Sequence, residues 1–174
     1  MSSRRRTLSG PRRTILIHFA KGSMYSAFLV ATPQGDLFAA APKQAKPLSV
    51  ADRPYFQEVL KSRGFVVGEH QIGRISGIPT IAGAYPALNH KGQVQAVVLA
   101  GISLEWLNQY IRRIKLPEES RLLVVDRNGA VLVHYPDPGH YVGRDIKDEP
   151  LARVLLQQKE GLVEAPGLHG IPKI

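Results

Sequence analysis

Arg53 and Tyr55 flank a proline in the run Asp52-Arg53-Pro54-Tyr55-Phe56, which sets a guanidinium, a phenol and a second aromatic ring at the start of a helix. The planar fork of a guanidinium donates two parallel hydrogen bonds and so matches a carboxylate. Two plainer readings stay open at this level: Arg53 can pair with a neighbouring acid, and Tyr55 can be a core residue whose hydroxyl the protein satisfies. Arg74, in Gly73-Arg74-Ile75-Ser76-Gly77, and Tyr85, just before Pro86, are further candidates for a pocket rim. Their alternatives are a solvated loop arginine and a packing tyrosine.

Signals for catalysis are sparse. The chain has no P-loop, no G-x-G-x-x-G and no G-x-S-x-G, and Gly73 to Gly77 lacks the spacing of a nucleophile elbow. His18, His70, His90, His134, His140 and His169 are scattered without an i, i+4 pair, and there is no cysteine, so neither a metal site nor a cofactor is expected. Glu118-Glu119 follow Pro117 in a linker-like stretch and do not suggest an acid/base pair. The expectation is a binding protein and not an enzyme.

The elements that must hold these residues follow from periodicity and turn chemistry. Residues 25–31 and 36–40 read as strands joined by Thr32-Pro33-Gln34-Gly35, where glycine supplies the positive φ of the turn. Pro42 and Pro47 mark residues 41–51 as a loop. Asp52 then reads as the N-cap of a helix with Pro54 in its first turn, where a missing N–H has no intrahelical partner to lose. Phe56, Val59 and Leu60 form its inward stripe, and Gly64 ends it. Three strands follow at 65–72, 78–88 and 94–102, the last two joined by Asn89-His90-Lys91-Gly92, and they predict an antiparallel meander. Ser103 reads as the cap of a second helix with Leu104, Leu107, Ile111 and Ile114 on one face, while Trp106 and Tyr110 at helical spacing read as packing. Residues 14–22 suggest one or two helical turns.

A length of 174 residues with 44% hydrophobic content can bury a real core. Five arginines (Arg4, Arg5, Arg6, Arg12 and Arg13) lie in the first 13 residues, and removing them takes the formal charge from +9 to +4. That modest excess argues against a phosphate-binding face on the folded body. The basic tail itself reads as a solvated end. No apolar run approaches the roughly 20 residues of a membrane span, and the N-terminus lacks the pattern of a signal peptide.

From Arg121 the pattern starts again. Asp126-Arg127-Asn128-Gly129 joins two strand-like runs as Thr32 to Gly35 does, Asp148-Glu149-Pro150 opens a helix as Asp52-Arg53-Pro54 does, Gly161 matches Gly64, and Gly170-Ile171-Pro172 matches Gly77-Ile78-Pro79. The offsets are 94, 96, 97 and 93 residues, which predicts one complete αβ unit and the front part of a second. The second copy has Glu149 and Leu151 where the first has Arg53 and Tyr55. Asp and Pro are therefore shared scaffold, and the cation and hydroxyl are particular to the first copy. The missing end of the second copy predicts that the chain is a piece of a longer one, with a C-terminal half less stable than its N-terminal half.

Several short runs, in this order and spacing, resemble the membrane-distal half of a double Cache sensor domain: DRPYF, FVVGE, GRISGIP, the Pro86 to Gly92 turn and VVLAGISLEWL. The resemblance extends over residues 26–174. It implies an α+β fold of PAS-like units, each with a central antiparallel sheet flanked by helices. The units divide here into a basic tail (1–13), a membrane-distal unit (14–116) and an incomplete membrane-proximal unit (117–174). It also implies an extracytoplasmic sensor belonging to a membrane-anchored bacterial histidine kinase, diguanylate cyclase or chemoreceptor. The long helix that precedes the first hairpin in the family, where a homodimer would form, has no counterpart here.

In amino-acid-binding relatives an arginine and an aromatic of the R-x-[aromatic]-[aromatic] run hold the ligand carboxylate, and an aspartate on the last long strand holds the ammonium. The first part corresponds to Arg53 and Tyr55, with Phe56 beside them, while Gly101 stands at the aspartate's place. The resemblance thus implies a ligand-binding set of Arg53, Tyr55, Phe56, Arg74 and Tyr85. It favours a small carboxylate over an α-amino acid, because an ammonium would lack its anion. The alternative is a basic nucleic-acid-binding protein acting through the arginine tail; the sensor reading expects no nucleic-acid partner.

Overall fold

The computed structural model describes residues 23–43, 46–117 and 120–157, together with the backbone of 165–166 and 172–173. The basic tail, the helical turns expected over 14–22, Glu118-Glu119, Gly161 and Gly170-Ile171 lie outside the described residues.

The first hairpin pairs β1 (Tyr25–Ala31) with β2 (Leu37–Ala41), and Gly35 takes φ 93° in its turn. A helix, α1 (Pro54–Ser62), follows. Next come the short strands β3 (Val66–Val67) and β4 (Gln71–Ile72), and then the long strands β5 (Pro79–Leu88) and β6 (Val94–Ser103). All six strands form one antiparallel sheet in the order β2-β1-β6-β5-β3, with β4 also paired to β5. Alternation on β5 puts Thr80, Ala82 and Ala84 on the buried face. There α1 covers them with Phe56 and Val59, against Val97 and Leu99 of β6.

Three local expectations are corrected. The N-cap of α1 is Arg53 and not Asp52; Arg53 is extended (φ −78°, ψ 129°) and its side chain caps nothing. The reason is Pro54, which occupies the first helical position and drives the residue before it out of the α region. The helix ends on Arg63, in the left-handed region at φ 53°, one residue before Gly64. The strand expected over 65–72 is split: the His70 N–H is taken by Asp126 Oδ2 at 2.9 Å, and Gly68 packs closely against Tyr55. A Cβ on Gly68 would fall 2.8 Å from Tyr55 Cδ1.

Ser103 caps α2 (Leu104–Ile111), its Oγ accepting from Trp106 N at 3.3 Å. Leu104, Leu107 and Ile111 face inward, whereas Ile114 lies past the helix and is exposed. Trp106 and Tyr110 stack with ring centroids 5.3 Å apart. The second hairpin, β7 (Leu122–Val125) with β8 (Val131–Tyr135), packs Leu132 and Val133 under α2. The buried Asn108 ties them together, donating to Leu104 O and Leu132 O and accepting from His134 N. Helix α3 (Pro150–Gln157) begins on a proline as α1 does, and the backbone of β9 (Ala165–Pro166) pairs with β10 (Pro172–Lys173).

The internal repeat is visible in the geometry of the two hairpins. Gly35 O accepts from Val50 N at 2.9 Å, and Gly129 O accepts from Ile146 N at 2.9 Å. Asp36 bridges to Ser49 as Ala130 bridges to Asp145. Each turn glycine is pressed onto the backbone that leads into the following helix: a Cβ on Gly35 would lie 2.6 Å from Ala51 N, and one on Gly129 would lie 2.8 Å from Lys147 Cα.

Candidate functional site

A cleft opens where the N-terminal end of α1 meets the buried face of the sheet and the turn from Gly73 to Ser76. Its cavity volume is about 40 Å³, room for about three waters at ~15 Å³ each. Arg53, Tyr55 and Arg74 all border it, so three of the five sequence-derived site residues are brought together. Phe56 does not border it; at 1% exposure it belongs to the core beneath α1. Tyr85 lies on the opposite face of β5, beside Val98, and is 60% exposed. Strand parity decides this, since the cleft-facing residues of β5 are the even-numbered Thr80 and Ala82.

The two arginines differ in their partners. Arg74 forms a bidentate pair with Asp52 (Nη1–Oδ1 2.8 Å, Nη2–Oδ2 2.5 Å) and also donates from Nη1 to the Ser49 carbonyl. It therefore clamps the β4–β5 turn to the residues leading into α1. Arg53, half-buried, has no hydrogen bond or ion pair from its side chain among the described residues. Among the described residues the cleft lining contains no carboxylate, although the Arg53 charge acts on the neighbouring Asp52 through its field.

Tyr55 is buried, and burial pushes its phenol above the ordinary value of 10.0, opposed by hydrogen bonding to the Gln71 side chain and by the positive fields of Arg53 and Arg74. At neutral pH it is an uncharged donor. The Arg74 hydrogen bonds hold the Asp52 carboxyl below its ordinary 3.8. A depressed folded-state value means that the clamp's stabilisation is present above the unfolded-state value and is lost as pH falls through the folded one. We expect Asp52→Asn to be less stable than the native chain at neutral pH. The gap should begin to narrow below about pH 4 in acid-unfolding curves and vanish once the pH lies below the depressed folded-state value; a gap of constant size throughout the acid range would show that Asp52 acts other than through its charge.

Sequence reasoning missed the polar lining contributed by Ser26, Gln71, Ser76 and Thr80. Ser26 is the extra residue where the β1–β6 register shifts between Tyr25 and Ala27, and bulges re-aim side chains in this way. Single-residue register shifts leave no periodic trace in a sequence. Ser76 sits two residues from Arg74 in the run already singled out, so its proximity was a usable signal. A Cβ on Gly101 would come within 2.6 Å of Ser26 Oγ, the rotatable end of a side chain on that bulge.

A family model described as the Cache domain matches residues 5–171, and the chain belongs to that family. It is a Cache sensor domain of α+β, PAS-like architecture. Solved structures agree on the fold. The ligand-binding domain of the amino acid chemoreceptor PctB of Pseudomonas aeruginosa PAO1, in complex with L-Gln, matches with a TM-score of 0.64 at 23% identity over 87% of this chain and 60% of that one. The extracellular ligand binding receptor of Desulfohalobium retbaense DSM5692 matches with a TM-score of 0.69 at 16% identity over 86% and 29%. The extracellular domain of rpHK1S-Z16, designated a histidine kinase, matches with a TM-score of 0.63 at 21% identity over 78% and 54%. The chain thus spans between 29% and 60% of the length of these three chains. No curated protein matches it. Among the described residues no helix is long and apolar enough to cross a membrane.

Proposed function

We propose that the chain is the extracytoplasmic sensing module of a membrane-anchored bacterial receptor and that it takes a small organic acid in the cleft at the start of α1. One observation carries this reading: Arg53 borders a small cavity and its side chain has no ion pair among the described residues, while its neighbour Arg74 is already committed to Asp52. An unpaired, partly desolvated guanidinium beside an uncharged phenol donor is a receptor for a carboxylate. Residues 14–116 form the ligand-holding unit in this reading, and residues 117–174 the front part of the unit that receives the signal.

Signalling requires the ligand to bind two conformations unequally. The contact that can carry the difference runs from α1 to the second hairpin. Arg127 in its turn bonds Glu58 at 3.2 Å, the Val67 carbonyl at 3.1 Å and Glu69 at 3.2 Å. Glu58 lies on the helix that begins directly after Arg53, so a ligand that shifts the start of α1 acts on this junction.

A thermal-shift screen of short carboxylates, amino acids and amines tests the assignment. A carboxylate present at 100 times its Kd adds about 2.7 kcal/mol of stability, a rise on the order of 5–10 °C for a domain of this size. Arg53→Ala should abolish that rise. A carboxylate shift that survives unchanged in Arg53→Ala, or a response to amines alone, contradicts the proposal.

A further inference from the structure

An antiparallel sheet with one face in water alternates apolar and polar residues, whereas a sheet covered on both faces reads apolar at nearly every position. Strands β5 and β6 have the covered pattern. On the side of the sheet away from α1, Gly83 and Tyr85 of β5 pair with Ala100 and Val98 of β6, which pair in turn with Phe28 and Val30 of β1. None of these six residues is charged. The Phe65 ring extends the same face, since a Cβ on Gly83 would fall 3.4 Å from Phe65 Cε2. Yet Phe65, Tyr85 and Val98 are 66%, 60% and 45% exposed. Single exposed apolar residues are ordinary, but a contiguous apolar face marks a contact.

The chain itself carries a segment of matching chemistry. Five of the six residues in Ile15-Leu16-Ile17-His18-Phe19-Ala20, outside the described residues, are apolar, and they come shortly before β1. The chain joins the sheet at the border of this face, where Ser103 N donates to Met24 O at 2.9 Å and Tyr25 pairs with Ile102. Ile15 lies ten residues before Tyr25. An extended chain of that length spans up to roughly 33 Å, against roughly 23 Å for a seven-residue strand such as β1. The segment therefore reaches any part of the face. A second copy of the chain is the competing occupant, but it arrives from bulk solution, whereas a short tether holds its segment at an effective concentration in the millimolar range.

We infer that residues 15–20 lie across the outer face of the β5-β6-β1 sheet and cover Phe65, Tyr85 and Val98. The Arg53 cleft opens on the opposite side of the sheet, so this covering is independent of the ligand assigned there.

Because the chain has no cysteine, single thiols placed on the face report its covering. Alkylation by iodoacetamide is followed in three full-length variants: Val98→Cys and Tyr85→Cys on the outer face, and Lys61→Cys at an exposed position of α1. The two face thiols should react at least about tenfold more slowly than the one on α1, as expected of sites open only a small part of the time. Adding Ile15→Ser, Leu16→Ser and Phe19→Ser should bring them to within about twofold of it. The same three serines in the otherwise native, thiol-free chain should raise the fluorescence of anilinonaphthalene sulfonate, a dye that binds exposed apolar surface. This second reading holds even where a cysteine variant fails to fold. Face thiols as reactive as the α1 thiol in the presence of the native segment overturn the inference. So does protection that survives the three serines: if it grows with protein concentration the occupant is a second copy, and if it does not the face is closed by another part of the chain. A dye signal unchanged by the three serines also contradicts it.

Discussion

Phe56→Ala should lower the unfolding free energy by about 3–5 kcal/mol, the usual cost of truncating a fully buried phenylalanine. Phe56 is 1% exposed and sits in the core shared by α1 and the sheet, among Val59, Val97 and Leu99. A helix of nine residues is too short to be stable by itself, so its position depends on this packing. The midpoint of thermal unfolding should fall on the order of 10 °C. Because Phe56 is the residue after Tyr55 and does not border the cleft, the variant should still bind carboxylate where it remains folded. A Phe56→Ala chain as stable as the native one would mean that α1 is not docked as described. Loss of binding without loss of stability would put the ring in the site.

Gly35→Ala should cost at least about 2–3 kcal/mol, for two reasons that add. The residue has φ 93°, a conformation in which any Cβ is strained by about 1–2 kcal/mol. The new methyl would also lie 2.6 to 2.7 Å from the nitrogen, Cα and Cβ of Ala51. Those are largely backbone atoms and cannot rotate away. Ala51 immediately precedes the Asp52 that Arg74 clamps and the Arg53 that faces the cleft, so ligand affinity should fall together with stability. Gly129→Ala provides the comparison, since it makes the same approach to Lys147 at φ 86°. It should destabilise the chain similarly, measured by denaturant unfolding, with a smaller effect on affinity. Equal affinity losses in both variants would show that the first turn has no privileged role in setting the site.

The elements legible in the sequence were those with a strong local cause. Gly35 and Gly129 mark turns that only glycine tolerates, Pro54 opens α1, Ser103 caps α2, and the strand at residues 79–88 follows from its alternation. Comparing Asp52-Arg53-Pro54-Tyr55 with Asp148-Glu149-Pro150-Leu151 distinguishes the residues the two copies share from those particular to the first, and of the latter Arg53 and Tyr55 border the cleft. What was not legible depends on partners distant in the chain. Asp52 has the composition of an N-cap, but its carboxylate is drawn to Arg74, 22 residues away. Strand 65–72 is interrupted by an acceptor from residue 126, 56 residues beyond His70. Tyr85 has the right composition for a pocket and the wrong parity on its strand. Ser26 enters the site only through a register shift.

The central claim is that a carboxylate is held at the start of α1. It is tested most directly by a crystal structure of the chain with the acid that gives the largest thermal shift. The account predicts the carboxylate in the cleft against the Arg53 guanidinium and the Tyr55 hydroxyl, with the Arg74–Asp52 pair intact. A ligand bound away from this cleft, or one whose carboxylate displaces Asp52 from Arg74 while Arg53 stays in solvent, would contradict it.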